Sequence, residues 1–210
     1  MTEHLPEEFD GRGQSRRGFM KALGGLTTGA MGGVYLFPVA VATAVATKEV
    51  TGLKAGNAGI NEEIERSCQT DSDPERCKAQ WQPDDRKVRQ AVIDAPIIEE
   101  TLFRAVPSVI TDLTDDDRSL RKIGANLLHG TESKKLTRKE LIAGFASSTL
   151  FAAAHGMTAR GYDTQTIPIP QGVAGFGFWY LARKHGIGSS MVAHSTFNAI
   201  PIGLMRILGK

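Results

Sequence analysis

Residues 91–110 read AVIDAPIIEETLFRAVPSVI, an apolar stretch of helical length with two adjacent glutamates and an arginine near its middle. Charged side chains are costly in lipid or in a protein interior, and those kept there usually mark a site. We expect one helix from about Arg86 through Ile110, because membrane helices tolerate Pro96 and Pro107 where neighbouring groups bond the freed backbone. The stretch therefore predicts a membrane-embedded or core helix that carries a functional centre.

Two later apolar stretches carry polar residues at the spacing of one helical turn. Phe151 and His155 lie four residues apart, and so do His194 and Asn198. Residues four apart share one face of a helix. A lone core histidine is usually structural, but two such pairs in one chain with the charged stretch predict the parts of a single polar site.

The average composition suits a soluble protein, with 41% hydrophobic residues and a formal net charge of +2. The average conceals a division, since polar residues concentrate in residues 1–21, 47–94 and 111–140. The rest of the chain is apolar and rich in Gly, Ala and Ser, which is typical of closely packed membrane helices. Beyond the first motif, apolar segments are expected at about residues 141–157, 166–182 and 186–208.

These segments predict an all-α fold, a polytopic transmembrane helix bundle of about four core helices plus an N-terminal span or signal. The lipid bilayer is then a partner, and the expected location is the cell membrane, multi-pass. The nearly balanced charge predicts no nucleic-acid partner. Trp179 and Tyr180 beside Arg183 and Lys184 are typical of a membrane interface. A soluble helical core is the competing interpretation.

The N-terminal section, residues 1–46, has two interpretations. Arg16 and Arg17, an uncharged stretch from residue 22 to 47 and small residues near its end resemble a twin-arginine export signal, which is cleaved. Alternatively, the stretch is an uncleaved first transmembrane helix whose start is held in the cytoplasm by basic residues such as Lys21. We favour the uncleaved helix, because the downstream chain also has the character of a membrane protein.

The expected organisation is a signal-anchor or signal over 1–46, a polar loop or linker over 47–90 and the core over 91–210. Cys68 and Cys77 both lie in the loop, where they are either unpaired or joined in a local disulfide, which would require an oxidising compartment. Lys and Arg are frequent both in the loop and in the connector after the first motif. The positive-inside rule applied to these segments therefore does not set the orientation.

Spacing within the first motif assigns different roles to its two glutamates. Glu100 and Arg104 are four apart with the acid first, so they can pair on one helix face. Glu99 then points about 100° away and has no local partner. A desolvated carboxylate of this kind suits a general base that takes a proton from water. The alternative is that both glutamates belong to buried ion pairs.

Hydrolysis of an amide needs an activated water beside the scissile carbonyl and donors for the oxyanion that develops. Glu99 with His155 would supply the first. His194 with Asn198 would supply the second. Phe151 would pack beside His155 on the same helix face.

The ordered patterns EExxxR, FxxxH and HxxxN resemble the CPBP family of intramembrane proteases, which includes CAAX prenyl endopeptidases of the Ras-converting type and bacteriocin-processing, Abi-type proteases. The resemblance covers about residues 91–208, although Ala105 stands where the family usually has a glycine. It implies Glu99 and His155 as the water-activating pair and His194 and Asn198 as oxyanion donors. Glu100 and Arg104 are implied as supporting residues.

The resemblance implies an integral membrane endopeptidase that acts on a peptide or protein. Family members have been described both as metalloproteases and as glutamate-dependent enzymes, and both readings stay open. A divalent metal such as Zn²⁺ could be held by Glu99, His155 and His194, whereas a metal-free water mechanism fits the same residues. Two other functions compete: a non-proteolytic membrane scaffold or immunity protein of the same fold, and an exported soluble protein.

Overall fold

The computed structural model describes residues 11–51, 54–55, 68–74, 76–77, 84–114, 119–131, 135–158 and 166–208. Within these residues the fold is helical apart from one pairing of two short parallel strands. The predicted all-α class is therefore confirmed. The elements are α1 Gly11–Thr51, β1 Lys54–Ala55, α2 Asp85–Leu113, α3 Leu120–His129, α4 Arg138–Thr158, β2 Thr166–Ile167, α5 Ile169–His185 and α6 Ile187–Leu208.

Helix α2 is the predicted charged helix. It begins one residue before the expected Arg86 and ends three residues after the expected Ile110. Asp84 caps its start by accepting a hydrogen bond from the backbone N–H of Lys87 at 2.7 Å. Two π-helical turns interrupt the α-helical hydrogen bonding of α2. Pro96 and Pro107 are each the second residue of the α-helical segment that follows a π turn. The consecutive segments are Asp85–Arg89, Gln90–Asp94 (π), Ala95–Glu100, Thr101–Ala105 (π) and Val106–Leu113.

Glycines on α1 bring this helix into close contact with α6. A Cβ added at Gly25 would lie 2.8 Å from the His185 carbonyl oxygen, and one at Gly29 or Gly33 would collide with the backbone oxygen of Ser189 or Ala193. The contacts advance together along both helices, so α1 and α6 run parallel. Small residues at four-residue spacing permit this approach, as they do between membrane helices.

The remaining long helices alternate in direction. The start of α2 lies beside the end of α6, where Arg206 contacts Asp85 at 2.8 Å. The apolar core between α5 and α6 contains Ala174, Phe178, Leu181 and Ala193, with Leu36 and Phe197 packed against it. Its residues on α5 and α6 come from the apolar segments predicted after the first motif.

The two ends of the bundle contain different parts of the chain. At one end, α3 meets the corner between α5 and α6, where the Thr131 backbone N–H donates to the Arg183 carbonyl at 2.7 Å. Gly130 and Gly186 turn this corner with φ of 80° and 88°, a region that glycine adopts readily. We call this the α3 end; the start of α1 also lies there through Gly25. The opposite end contains the β1–β2 pairing and the start of α2.

Apolar side chains point outward and several charged ones point inward. On α2, Ile98 and Leu102 are more than half exposed, whereas Glu100 and Arg104 are completely buried. Phe145 on α4 is also exposed. By length and composition, one described helical stretch, Leu23–Thr51, could cross a bilayer.

Trp179 and Arg183, which the sequence suggested as residues exposed at a membrane interface, do not lie on the surface of the bundle. Both side chains are buried. The Trp179 indole lies against Gly144 of α4, at a place where an added Cβ would collide with it. The absence of a side chain at Gly144 therefore leaves space for the Trp179 ring inside the bundle. Tyr180, the next residue, is 45% exposed.

The two cysteines form a disulfide. Cys68 and Cys77 are bonded, with their Cα atoms 5.5 Å apart, and Cys68 is buried. Of the two interpretations left open by the sequence, the structure has the local loop disulfide.

Candidate functional site

Glu99 lies at the midpoint of α2 and faces two imidazoles. Its Oε2 atom is 3.6 Å from His155 Nε2 and 3.6 Å from His194 Nε2. This oxygen is buried and has no hydrogen-bond donor among the described residues. A buried carboxylate oxygen is normally hydrogen-bonded, so an oxygen left open between two titratable rings is a candidate reaction centre.

The other ring nitrogens anchor the two histidines. His155 Nδ1 lies 2.9 Å from the Phe151 carbonyl oxygen, and His194 Nδ1 lies 2.9 Å from Glu100 Oε1. Carbonyl and carboxylate oxygens accept hydrogen bonds, so both Nδ1 atoms carry hydrogen. Each Nε2 is thereby directed at Glu99, with a lone pair in the neutral ring or a proton in the imidazolium.

Exposure distinguishes the two histidines. The side chains of Glu99 and His155 are 26% and 30% exposed, whereas that of His194 is only 3% exposed. Solvent or a substrate therefore reaches the site from the side of Glu99 and His155. His194 forms its inner wall.

Glu100 is buried, and three neighbours bind its carboxylate. Arg104 Nε lies 3.6 Å from Oε2, which is the contact expected from the four-residue spacing. The Ser190 hydroxyl donates to the same oxygen, and His194 Nδ1 donates to the other. Glu100 thus holds the ring of His194 in place while Glu99 is left to face Nε2.

Arg104 binds a backbone carbonyl near Pro107. Pro107 has no N–H and so does not donate to the Phe103 carbonyl four residues earlier. Arg104 Nη1 donates to this carbonyl at 2.9 Å and contacts Ser147 Oγ at 2.9 Å. The Ser147 hydroxyl also donates to the Phe103 oxygen. Ser147 therefore connects α4 to both Arg104 and the Phe103 carbonyl of α2.

Aromatic rings enclose the buried part of the site. The Phe178 ring stacks on His194 with centroids 4.7 Å apart, and Phe151 meets His194 edge-on at 5.6 Å. Phe151 also lies 4.3 Å from the ring of His155, and the Arg104 guanidinium carbon is 4.8 Å from its centroid. Phe151 therefore touches three of the polar residues, which agrees with its predicted supporting position.

Asn198 lies one helical turn beyond His194 and does not contact Glu99 in the structure. Its Nδ2 donates to the Ala91 carbonyl at 2.9 Å. In the first π turn the Ala95 N–H bonds to the Gln90 oxygen, and the next residue, Pro96, has no N–H. Ala91 is thereby left without a helical donor, and Asn198 supplies one of its two amide hydrogens instead.

The three suggested metal ligands, Glu99, His155 and His194, lie together. Both Nε2 atoms face the same oxygen of Glu99 at 3.6 Å. Among the residues that the structure describes, no group of three or more His, Cys, Asp or Glu has the arrangement of a metal site. The choice between a metal-dependent and a glutamate-dependent reaction stays a prediction.

The residues missed from the sequence are Ser147, Ser190 and Phe178. Ser190 precedes His194 by four residues and Ser147 precedes Phe151 by four, so both extend the helix faces already identified. A search for further polar residues at this spacing would have found the two serines. Phe178 lies in a uniformly apolar segment, and no pattern indicates its contact.

A second buried charge network lies at the α3 end. Arg183 Nη2 lies 2.8 Å from Asp112 Oδ1, and the guanidinium also binds Glu140. The second oxygen of Asp112 accepts from Asn126 at 3.2 Å, and that of Glu140 accepts from the Thr137 backbone at 2.7 Å. The four carboxylate oxygens therefore all have donors.

The electrostatics of this network follow from its pairing. Glu140 and Arg183 lie just outside the predicted apolar spans. Burial would raise the pKa of Glu140, but the hydrogen bonds from Thr137 and Arg183 outweigh it and lower that pKa. Burial would lower the pKa of Arg183, but Asp112 and Glu140 raise it. Glu140 and Arg183 are therefore both held in their charged forms.

Comparison with known proteins places the chain in a family. No curated protein and no solved structure matches it. The model of the family described as "Type II CAAX prenyl endopeptidase Rce1-like" matches residues 89–200, which is more than half of the chain and includes Glu99, His155, His194 and Asn198. The chain therefore belongs to the Rce1-like family of type II CAAX prenyl endopeptidases, in agreement with the family resemblance of its motifs.

Proposed function

We propose that this protein is an integral membrane endopeptidase in which Glu99 and His155 activate a water molecule. Family membership supports a protease with a peptide or protein substrate. The observation that carries the mechanism is the buried Glu99 Oε2, which has no hydrogen-bond donor and lies 3.6 Å from both imidazole Nε2 atoms. A water entering from the exposed side meets a carboxylate oxygen that accepts no hydrogen bond from the described residues.

In the proposed reaction, Glu99 takes a proton from the water molecule while the oxygen of that water bonds to the scissile carbonyl carbon. The His155 Nε2 orients this water. The negative charge that forms on the carbonyl oxygen is stabilised by N–H groups of His194 and Asn198. When the tetrahedral intermediate collapses, the C–N bond breaks and the proton held by Glu99 passes to the leaving amine.

This oxyanion role places a requirement on His194. Its Nδ1 hydrogen is used by Glu100, so Nε2 donates only when the ring is an imidazolium. The negative charge of Glu100 would balance that cation across the 2.9 Å hydrogen bond. Asn198 retains a second amide hydrogen after binding Ala91, and we assign that hydrogen to the oxyanion.

We also propose that the bundle is multi-pass in the cell membrane. Apolar side chains are exposed on several helices, among them Ile98 on α2, Phe145 on α4 and Ile207 on α6. Soluble proteins seldom expose apolar surface on this scale while burying carboxylates and guanidinium groups. These observations favour lipid contact around the bundle rather than at α1 alone.

We propose further that residues 1–46 are retained and not cleaved off, that 47–90 form a linker and that 91–210 form the protease core. The support is the packing of α1 on α6, the helix that carries His194. Because α1 continues to Thr51 without interruption, a cleavage after residue 46 would cut a helix that packs against the core.

Glu99→Gln tests the reaction. We expect peptide cleavage by the purified chain in proteoliposomes to fall about 10²–10⁴-fold, the usual contribution of a general base. The probe is a farnesylated, internally quenched peptide ending in a Cys-aliphatic-aliphatic-X sequence, and its unprenylated form tests dependence on the lipid. The matched control is Asp94→Asn, which removes a half-exposed carboxylate that contacts Arg89 on the same helix. Full activity of the Glu99→Gln protein would overturn the assignment.

Gly29→Leu tests the retention of α1. A side chain there collides with the Ser189 backbone, and overpacking of this kind costs about 1–3 kcal/mol. Gly24→Leu is the control, because a Cβ at Gly24 meets nothing within 4 Å. We expect only the first variant to lower both thermal stability and cleavage. Equal behaviour of the two variants would mean that α1 is dispensable.

A further inference from the structure

A cavity of about 730 Å³ opens at the α3 end, away from the proposed reaction centre. Helix α1 supplies Lys21, α3 supplies Lys122 and His129, and the end of α5 supplies Lys184 and His185. These residues are distant in sequence, and only the packing of α1 against α3 and α5 brings them together. The cavity is therefore a product of the folded bundle.

The charge of this cavity is one-sided. Its described lining contains three lysines and two histidines and no carboxylate. The nearby Asp112 is already bound by Arg183 and by Asn126, so its charge is largely neutralised. Burial and the adjacent Lys184 charge lower the pKa of His185, as expected where positive charge gathers.

We propose that this cavity binds a phosphate group, supplied by the headgroup of an anionic membrane lipid. Lysine ammonium groups attract phosphate as point charges. The volume falls in the range of small-ligand sites, which is large enough for a phosphate with its polar substituent. Gly24, Gly25 and Gly130 also line the cavity, and a Cβ added at Gly24 would meet nothing within 4 Å.

The level of the cavity relative to the apolar stretch of α1 favours a lipid as the source of the phosphate. Lys21 lies two residues before the apolar stretch Leu23–Thr51 begins. If this stretch crosses the bilayer, Lys21 lies at the level of the headgroups. Basic pockets between helices at this level suit anionic headgroups, which concentrate in the cytoplasmic leaflet.

The disulfide assigns the α3 end to the cytoplasm, because basic residues occur at both ends of the bundle. Arg121, Lys135, Arg138 and Lys139 lie around α3 and the start of α4, whereas Lys48, Arg86, Lys87 and Arg89 lie at the opposite end. The Cys68–Cys77 disulfide belongs to the segment that joins β1 to α2 at the opposite end, and disulfides persist in an oxidising compartment. The α3 end then faces the cytoplasm.

A bound phosphate would connect α1 to the protease core. Lys21 and Lys122 repel each other when no anion lies between them. An anion bound by Lys21 on α1 and by Lys122 on α3 removes this repulsion and adds attraction across the contact. Binding should therefore raise the stability of the whole bundle, because a ligand stabilises the state that binds it.

The test uses the full chain purified in a neutral detergent and does not measure cleavage. Phosphatidylglycerol, phosphatidylcholine and inorganic phosphate are titrated separately, and binding is followed by native mass spectrometry and by the midpoint of thermal unfolding. The test variant is Lys21→Gln with Lys122→Gln. The matched control is Lys48→Gln with Lys87→Gln, which removes the same charge from exposed positions at the opposite end.

We expect phosphatidylglycerol to bind and to raise the unfolding midpoint of the natural chain and of the control. In the test variant the affinity should fall about 30-fold, from about a fivefold factor for each lysine. Phosphatidylcholine should bind much more weakly. Competition by inorganic phosphate at similar concentrations would support the phosphate site and make a soluble phosphate its source. Equal affinity of test and control variants for phosphatidylglycerol, or equal binding of the two lipids, would overturn the proposal.

Discussion

The molecule buries two networks of charged side chains, one around Glu99 and Glu100 and one around Arg183. In the Arg183 network each oxygen of Asp112 and Glu140 has a donor. In the other network Glu100 is equally well bound, but Glu99 Oε2 has no donor among the described residues. The two networks thus differ in how completely they are paired, since Arg104 Nε and Nη2 in the first network also have no hydrogen-bond partner among the described residues.

This difference separates a structural network from a reactive one. Buried polar groups that are fully paired specify a packing arrangement, and removal of one partner leaves an uncompensated charge. A buried oxygen without a donor costs stability, and such a cost is typical of functional sites. We therefore expect substitutions in the two networks to have opposite consequences for stability and activity.

The largest effect on stability is expected from Arg183→Gln. Two buried carboxylates would lose their shared cation, and breaking a buried pair in this way costs about 3–5 kcal/mol. Denaturant unfolding in detergent measures the loss. Glu99→Gln provides the comparison, since it should leave stability unchanged or raised while lowering cleavage about 10²–10⁴-fold. A stable Arg183→Gln protein would break the proposed contrast.

Asn198→Ala should have the next largest effect, a loss of kcat. The variant tests whether Asn198 belongs to the reactive network or only binds the Ala91 carbonyl. Loss of one oxyanion donor lowers kcat by about 10²–10³-fold. If Asn198 serves only to satisfy the Ala91 carbonyl, stability falls by about 1 kcal/mol and kcat per folded molecule is unchanged. Measurement of kcat together with the unfolding midpoint separates the two roles.

Acidification should have the smallest effect within the ordinary working range. The pKa of Glu140 is lowered in the folded protein by its hydrogen bonds from Thr137 and Arg183. Its contribution to stability is complete above the unfolded value of about 4.3 and is lost as the pH falls through the lower folded pKa. Unfolding midpoints recorded from pH 7 to pH 3 should fall less in Glu140→Gln than in the natural chain. Parallel curves for the two proteins would contradict this role.

Much of the site was predictable because helical spacing is local. The pairing of Glu100 with Arg104 and the separate direction of Glu99 follow from the turn of one helix. The contacts of Glu99 with His155 and His194 were expected only through the chemistry that the three groups share. The partners Ser147, Ser190 and Phe178 depend on how α4, α5 and α6 pack, which spacing along one helix does not report.

The orientation of the bundle in the membrane also depends on contacts that the sequence does not report. Basic residues occur in several polar segments, so a count along the chain leaves the cytoplasmic side undecided. Packing brings Lys21, Lys122 and Lys184 to one end of the bundle. The α5 segment shows the limit too, since Arg183 looks like an interfacial residue in sequence and is buried in the fold.

The sequence by itself determined the helical class, the family and the three motifs, because hydrophobic segments and four-residue spacing are properties of the local chain. Only the tertiary structure decided which carboxylate oxygen stays without a donor, which backbone carbonyls Arg104 and Asn198 bind, and where the lysines lie together. These features require residues on different helices to meet. Their positions depend on interhelical contacts such as Gly29 against α6, where the absence of one side chain sets the distance between two backbones.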